Sequence, residues 1–233
     1  MTATAPDAVP PRPAPAETTA ASPAVVAEQQ GATAATPVDV PLIKSFALIF
    51  RPGDGGLPPE QVASLRALLD DERMHDGRIG HESSKATHLD RAVRAARVQW
   101  LFHKDVDPAI YRRLHTLAVV ANREQGWNFG FDGIAQYLQA TQYGAGGDHY
   151  DWHLDWGGGR TQFRKISLVV HLSEPSEFTG GRLQLTWGSH PLECAPPAGS
   201  VTVFPSFLLH RVTPVTGGSR VAAVAWMLGQ SFH

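Results

Sequence analysis

From Ile134 onward the chain breaks into short β-branched and aromatic segments parted by Gly and Pro, and this rhythm limits the possible folds more than any other feature. The segments are Ile134–Tyr143, Lys165–Leu172, Arg182–Thr186, Ser200–Phe204, Leu208–Val212 and Val221–Leu228. Strands at such short intervals predict a sandwich or barrel. The region ahead of them is mixed. Phe46–Phe50 and Val98–Phe102 read as strands, and Pro59 opens a helix to about Leu69, with Val62, Leu65, Leu68 and Leu69 at helical spacing. Pro108 suits the first turn of a second helix, whose apolar stripe is Ile110, Leu114, Leu117, Ala118 and Ala121. Trp127–Phe131 follows as a loop. The expected class is mainly β with flanking helices.

Residues 1–41 differ in kind. They hold eight of the eighteen prolines, a single basic residue, Arg12, and no aromatic side chain. Such a segment buries too little apolar surface to offset its ordering entropy, so a disordered tail is expected, with neither a signal-peptide nor a transit-peptide pattern. The remaining 42–233 suffice for one domain with a real core. That body carries nineteen basic and eighteen acidic residues, a balance that argues against a nucleic-acid partner. No apolar run approaches the ~18 residues of a membrane span. The single cysteine, Cys194, excludes an intramolecular disulfide and suits a reducing, cytoplasmic setting. Pro and Glu surround Cys194, and no neighbour in sequence activates it.

The chemistry concentrates between Tyr143 and Asp155. His153 and Asp155 are two residues apart, which in an extended strand points both side chains to one face. His149 and Asp151 form a second, overlapping His-x-Asp pair, and on an ideal strand all four side chains share that face, so periodicity does not choose between the pairs. A third ligand is available at His210, at the end of the apolar run Val201–Leu209, and Arg220 enters another apolar run, Val221–Trp226. A His and an Arg embedded in such strands need partners. Two imidazoles and one carboxylate make the face that holds non-haem Fe(II) and leaves positions open for small molecules. A guanidinium is a planar fork suited to a carboxylate, so a keto-diacid that chelates the metal at one end would meet Arg220 at the other.

At these residues the chain resembles the Fe(II)- and 2-oxoglutarate-dependent dioxygenases, and within them the prolyl 4-hydroxylase-like and PKHD-type hydroxylases. The likeness runs from about Ile134 to Phe232 through Leu138-Gln139, Tyr143, Gly147, Tyr150, His153, Asp155, Arg164–Ser173, Thr179–Leu183 and Pro197–Val215. In that family a Tyr stands about nine residues before the first ligand His. Tyr143 to His153 is ten and Tyr143 to His149 is six, so the resemblance selects His153 and Asp155, with one extra residue among Gly144–Asp148. It implies metal ligands and catalytic residues His153, Asp155 and His210, and cosubstrate contacts from Arg220, Tyr143 and Gln139. It implies a double-stranded β-helix, or jelly roll, over 134–232, with 42–133 as a helical support region. It implies Fe(II), 2-oxoglutarate and O2, with ascorbate as a stimulant, and release of succinate and CO2. The retained Asp155 favours hydroxylation over halogenation, where relatives carry a small residue.

The expected substrate is an amino-acid-like small molecule or metabolite hydroxylated at an aliphatic carbon. The competing expectations are a peptidyl, prolyl-type hydroxylase and a non-catalytic jelly roll that binds metal or 2-oxoglutarate. Trp152, Trp156, Gly157–Gly159 and Arg160 follow the ligands as a candidate lid, and Trp187 and Trp226 are candidates to line the barrel. The polar stretch 75–90, with His75, His81 and His88, reads as an exposed loop. The basic residues of Arg91–Arg97, with Lys85 nearby, read as a solvated patch or, alternatively, a contact for a substrate anion. His171 reads as a satisfied sheet histidine.

Overall fold

The computed structural model describes residues 45–79, 88–135 and 137–232. The expected tail over 1–41, and His81 and Lys85, lie outside those residues. The rest is built on two sheets. In chain order the strands and helices are β1 (Leu48–Phe50), α1 (Pro59–Ala67), β2 (His75–Asp76), β3 (Arg94–Ala95), β4 (Arg97–Phe102), α2 (Pro108–Glu124), β5 (Gly133–Ile134), β6 (Tyr137–Gly144), β7 (Asp148–His153), β8 (Arg164–His171), β9 (Phe178–Gly180), β10 (Leu183–Thr186), β11 (Leu192–Cys194), β12 (Val201–Pro205) and β13 (Leu209–Leu228).

The larger sheet has the order β1-β12-β8-β13-β6-β4-β2, with β5 added to β13. The smaller sheet places β10 and β7 on β13, with β11 beyond β10, β3 beyond β7, and β9 also on β13. Every pairing is antiparallel. The result is a double-stranded β-helix. One difference from the sequence reading concerns β13. Leu208–Val212 and Val221–Leu228 are expected as separate strands, but they are the two halves of one 20-residue strand. Its first half belongs to the smaller sheet and its second half to the larger. Pro214, Gly217 and Gly218 signal a break. Here they lie where the β7 and β9 pairings shift register, in the middle of the strand, without ending it. Gly218 is needed there: its φ is +69°, and a Cβ would overlap the carbonyl of Glu177.

Alternation along the strands sorts the side chains into two layers. Leu138 and Ala140 of β6, Ile166, Leu168 and Val170 of β8, and Val221, Ala223, Ala225 and Met227 of β13 belong to one core cluster that also contains the helical residues Val62, Leu65, Ile110, Leu114, Leu117 and Ala121. Each such fully buried Leu or Ile contributes about 1.5–3 kcal/mol. The start of α2 is fixed locally: Asp107 accepts the Ala109 N–H at 2.8 Å, and Pro108 occupies a position that has no N–H to satisfy. The intervening residues, among them Gln139, Tyr143, Ser167, Arg220 and Trp226, take the opposite phase of their strands. Polar side chains at those buried positions need a task, and the site lies among them.

Candidate active site

Register brings the two candidate ligand imidazoles together. His153 of β7 stands directly opposite His210 of β13, with ring centroids 4.1 Å apart. Each ring is oriented from behind. The Asp151 carbonyl lies 2.7 Å from His153 Nδ1, and the Leu208 carbonyl 2.8 Å from His210 Nδ1. A carbonyl only accepts, so each Nδ1 carries the proton and each Nε2 keeps its lone pair. Asp155 follows just beyond β7, its backbone N–H donating to Ser206 O at 3.0 Å. Its carboxylate stands 3.6 Å from His210 Nε2 and 4.0 Å from His153 Nε2. One donor atom from each of the three residues lies within 4.8 Å of the others. The Ser167 hydroxyl donates to Asp155 Oδ2 at 2.7 Å, leaving Oδ1 to face His153.

Burial, with His210 beside it, pushes the His153 pKa down to about 3. Its imidazole is therefore neutral near pH 7, as a metal ligand must be. Burial alone would raise Asp155, but His210, His153, Arg164 and the Ser167 hydroxyl bring it down to about 2. Two imidazoles and one carboxylate on a single face, opening onto a cavity, form a donor set that fits non-haem Fe(II).

The overlapping pair is placed elsewhere. His149 is tied by both ring nitrogens to backbone carbonyls, Gly147 at 2.8 Å and Ala92 at 3.0 Å, and Asp151 is exposed. The reason is a β-bulge. Tyr150 opposes Val212 while His153 opposes His210, so β7 spends three steps where β13 spends two. This shift ends the common face of an ideal strand and lets Tyr150 stack on His153, with centroids 3.5 Å apart and planes 12° apart.

Behind the ligands, Arg220 is cross-strand partner to Tyr143, and both are buried. The Arg220 Nη2 is buried without a hydrogen-bond partner. A guanidinium so placed fits a carboxylate that arrives from solution, such as the distal carboxylate of 2-oxoglutarate. Burial raises the Tyr143 pKa, against the opposing pull of Arg94 and Arg220, so its hydroxyl remains a donor at neutral pH. Gln139 lines the same cavity, and its Oε1 accepts from Arg94 Nη2 at 2.8 Å.

Arg94 is the main addition to the sequence reading. Within Arg91–Arg97 the two outer arginines are solvated, Arg91 with Asp76 at 3.1 Å and Arg97 with Asp71 at 2.7 Å. Arg94 turns inward and is only 8% exposed. Its small apolar neighbours Val93, Ala95 and Ala96 were the available signal, and β3 is too short to show a period. Ser167 was missed for a different reason, since one hydroxyl in an apolar strand has no distinctive spacing. Trp226 lines the cavity as expected. Trp187 does not: it is 64% exposed and stacks on Phe46 with centroids 4.6 Å apart. His171 is buried with its Nε2 2.9 Å from Thr202 Oγ1, and the buried Cys194 thiol is pushed up to about 11 by burial and by Glu193.

Comparison with known proteins agrees with this geometry. The family model described as the 2OG-Fe(II) oxygenase superfamily matches residues 138–228. A PKHD-type hydroxylase of Stenotrophomonas maltophilia (strain R551-3) is 32% identical over 182 residues, covering 73% of this chain and 74% of the relative. The chain belongs to this superfamily, among the PKHD-type hydroxylases. A second such hydroxylase, from Thioalkalivibrio sulfidiphilus, is 32% identical over 167 residues, covering 70% of this chain and 71% of its own. Two solved structures share the fold. A Pseudomonas putida prolyl-4-hydroxylase gives a TM-score of 0.60 at 20% identity, over 81% of this chain and 95% of its own. A Trichoplax adhaerens prolyl hydroxylase in complex with a hypoxia inducible factor peptide fragment gives 0.63 at 16%, over 79% and 84%. As a 2-oxoglutarate-dependent dioxygenase the protein uses Fe(II), 2-oxoglutarate and O2.

Proposed function

We propose that this oxygenase hydroxylates an aliphatic carbon of an amino-acid-like small molecule. His153, Asp155 and His210 hold the iron, and Arg220 and Tyr143 hold the distal carboxylate of 2-oxoglutarate. Iron with 2-oxoglutarate and O2 supplies the oxidising power for C–H hydroxylation, releasing succinate and CO2. The chain's own part is positional. The Asp151 and Leu208 carbonyls keep both Nε2 lone pairs aimed at one point, and Ser167 holds the carboxylate in its rotamer. Trp226 and Tyr150 wall the reacting space against bulk water. Residues 42–233 form the proposed catalytic domain, with 42–133 supporting the 134–232 core.

The observation that carries this reading is a cavity of about 460 Å³ directly beside Asp155, walled by Trp100, Tyr150, Trp156 and Trp226. That volume lies within the ~300–1,000 Å³ typical of small-molecule sites. A second reading, a peptidyl hydroxylase, draws on exposed apolar side chains at the cavity, Leu154 at 43% and Trp156 at 36%, which would suit an extended chain.

The test is a succinate-release screen of the Fe(II)-loaded full chain over free amino acids, modified amino acids and short peptides. Mass spectrometry follows the gain of one oxygen. Stimulation and oxidation by a free amino-acid-like compound is the expected result. Oxidation confined to peptides would replace this reading with the second.

A further inference from the structure

With iron and 2-oxoglutarate assigned, the cavity still contains a buried positive charge that nothing described answers. The Arg94 guanidinium is more than nine-tenths buried. Its Nη2 donates to the neutral amide oxygen of Gln139 at 2.8 Å, and its Nη1 makes a long 3.4 Å contact to the Arg78 carbonyl. Its Nε is buried without a hydrogen-bond partner. Among the described residues it forms no ion pair. A buried guanidinium held only by neutral acceptors is costly, and a protein keeps one where an anion will come to it.

Its position says which anion. Arg94 lies 4.5 Å from the Tyr150 ring centroid, and Tyr150 in turn stacks on His153. The guanidinium therefore stands one aromatic ring away from the metal-site imidazole. It lines both the inner cavity shared with Arg220 and the 460 Å³ outer cavity. The distal carboxylate of 2-oxoglutarate is matched to Arg220, which lies deeper and opposite Tyr143. Arg78 and Arg164 also line the outer cavity, where Asp155 is the one carboxylate among the described lining residues. Arg164 is spread over the Trp226 ring at 3.7 Å.

We infer that the primary substrate carries a carboxylate and that Arg94 is the residue that receives it, Gln139 holding the guanidinium in place. The inference rests on reading the cavity beside Asp155 as the substrate site. The carboxylate belongs to a free amino-acid-like acid or to an acidic peptide, and the test separates these sources.

The full chain is saturated with Mn(II) and 2-oxoglutarate, so that the metal and cosubstrate positions are filled and no turnover occurs. Binding is followed by tryptophan fluorescence and calorimetry. The probes are free and N-acetylated amino acids, their primary amides, and a short Glu-containing peptide beside its Gln counterpart. A charge-assisted pair predicts that acids bind about 10- to 100-fold tighter than amides. This wild-type comparison needs no variant. Arg94→Met, checked for folding by its melting temperature, should bring the ratio close to one, while Arg94→Lys retains part of it.

Equal binding of acids and amides to the wild-type chain would overturn the inference. So would an undiminished ratio in folded Arg94→Met, a loss of 2-oxoglutarate affinity alone in that variant, or failure of every probe to bind. Mass spectrometry of the same acids with Fe(II) under air tests the underlying reading separately. Acids that bind through Arg94 yet gain no oxygen would leave the anion site standing and remove the small-molecule hydroxylase.

Discussion

Replacing Arg220 by Met should move two measured quantities in opposite directions. Arg220 is 3% exposed, its Nη2 has no partner, and burial lowers its pKa, which marks a guanidinium paying for its own desolvation. Met is of similar length and apolar, so the swap removes the uncompensated charge without opening a large cavity. Replacing a poorly compensated buried ionic group by an apolar one is commonly neutral or stabilising by about 1–4 kcal/mol. The ligand-free domain should therefore melt at the same temperature or higher, by about 2–4 °C per kcal/mol gained. The cosubstrate requirement should move the other way. Each charge-assisted hydrogen bond contributes about 1.5–3 kcal/mol, so losing one predicts a roughly 10- to 150-fold weaker hold on 2-oxoglutarate. Differential scanning calorimetry of the metal-free protein reads the first effect. Calorimetric titration of 2-oxoglutarate into the Mn(II)-loaded protein reads the second. A 2-oxoglutarate affinity within threefold of wild type would refute the assignment of Arg220 to the cosubstrate. A melting temperature lowered by several degrees would mean that the guanidinium has a native partner in the free protein.

Three further outcomes follow from the site. His153→Ala should abolish iron binding and succinate formation while His149→Ala leaves most of both, since His149 is committed to the Gly147 and Ala92 carbonyls; equal losses would show the wrong pair was chosen. Ser167→Ala removes the hydroxyl that donates to Asp155 Oδ2 and should weaken Fe(II) affinity by about 10- to 100-fold, measured by metal titration; an unchanged affinity would mean the carboxylate is oriented without it. His171, buried and beside Arg220, has its pKa pushed down to about 3. The unfolded chain, with a His pKa near 6.5, binds this proton first, so stability is full above about pH 6.5 and falls as pH drops toward 3, by up to ~1.4 kcal/mol per unit. His171→Gln should flatten that acid limb in urea unfolding between pH 4 and 6, and an identical slope in the variant would contradict it.

His153, Asp155, His210 and Arg220 stood out because polar groups at two-residue spacing or inside apolar runs are rare enough to demand a reason, and the surrounding motifs matched a known family. Arg94 was visible only as part of a basic cluster. Charge counting along the chain does not tell an inward arginine from its solvated neighbours Arg91 and Arg97. Ser167 was one hydroxyl in an apolar strand, and its importance depends on Asp155 lying 2.7 Å away after folding.

What the sequence determined by itself was the period: two-residue alternation along β6, β8 and β13 already separates a helix-covered face from a site-bearing face. It also determined the inventory of candidate ligands. The spacing to Tyr143 selected His153 and Asp155 only through the family resemblance; the physical separation of the two overlapping pairs was made in the tertiary structure, by one extra residue in β7 opposite β13. The folded structure likewise made one strand of two expected ones and turned Arg94 into the cavity. The physical reason is common to all three. Alternation is a local property of one strand, whereas register, bulges and burial are properties of pairs of strands, set by contacts between residues far apart in the chain.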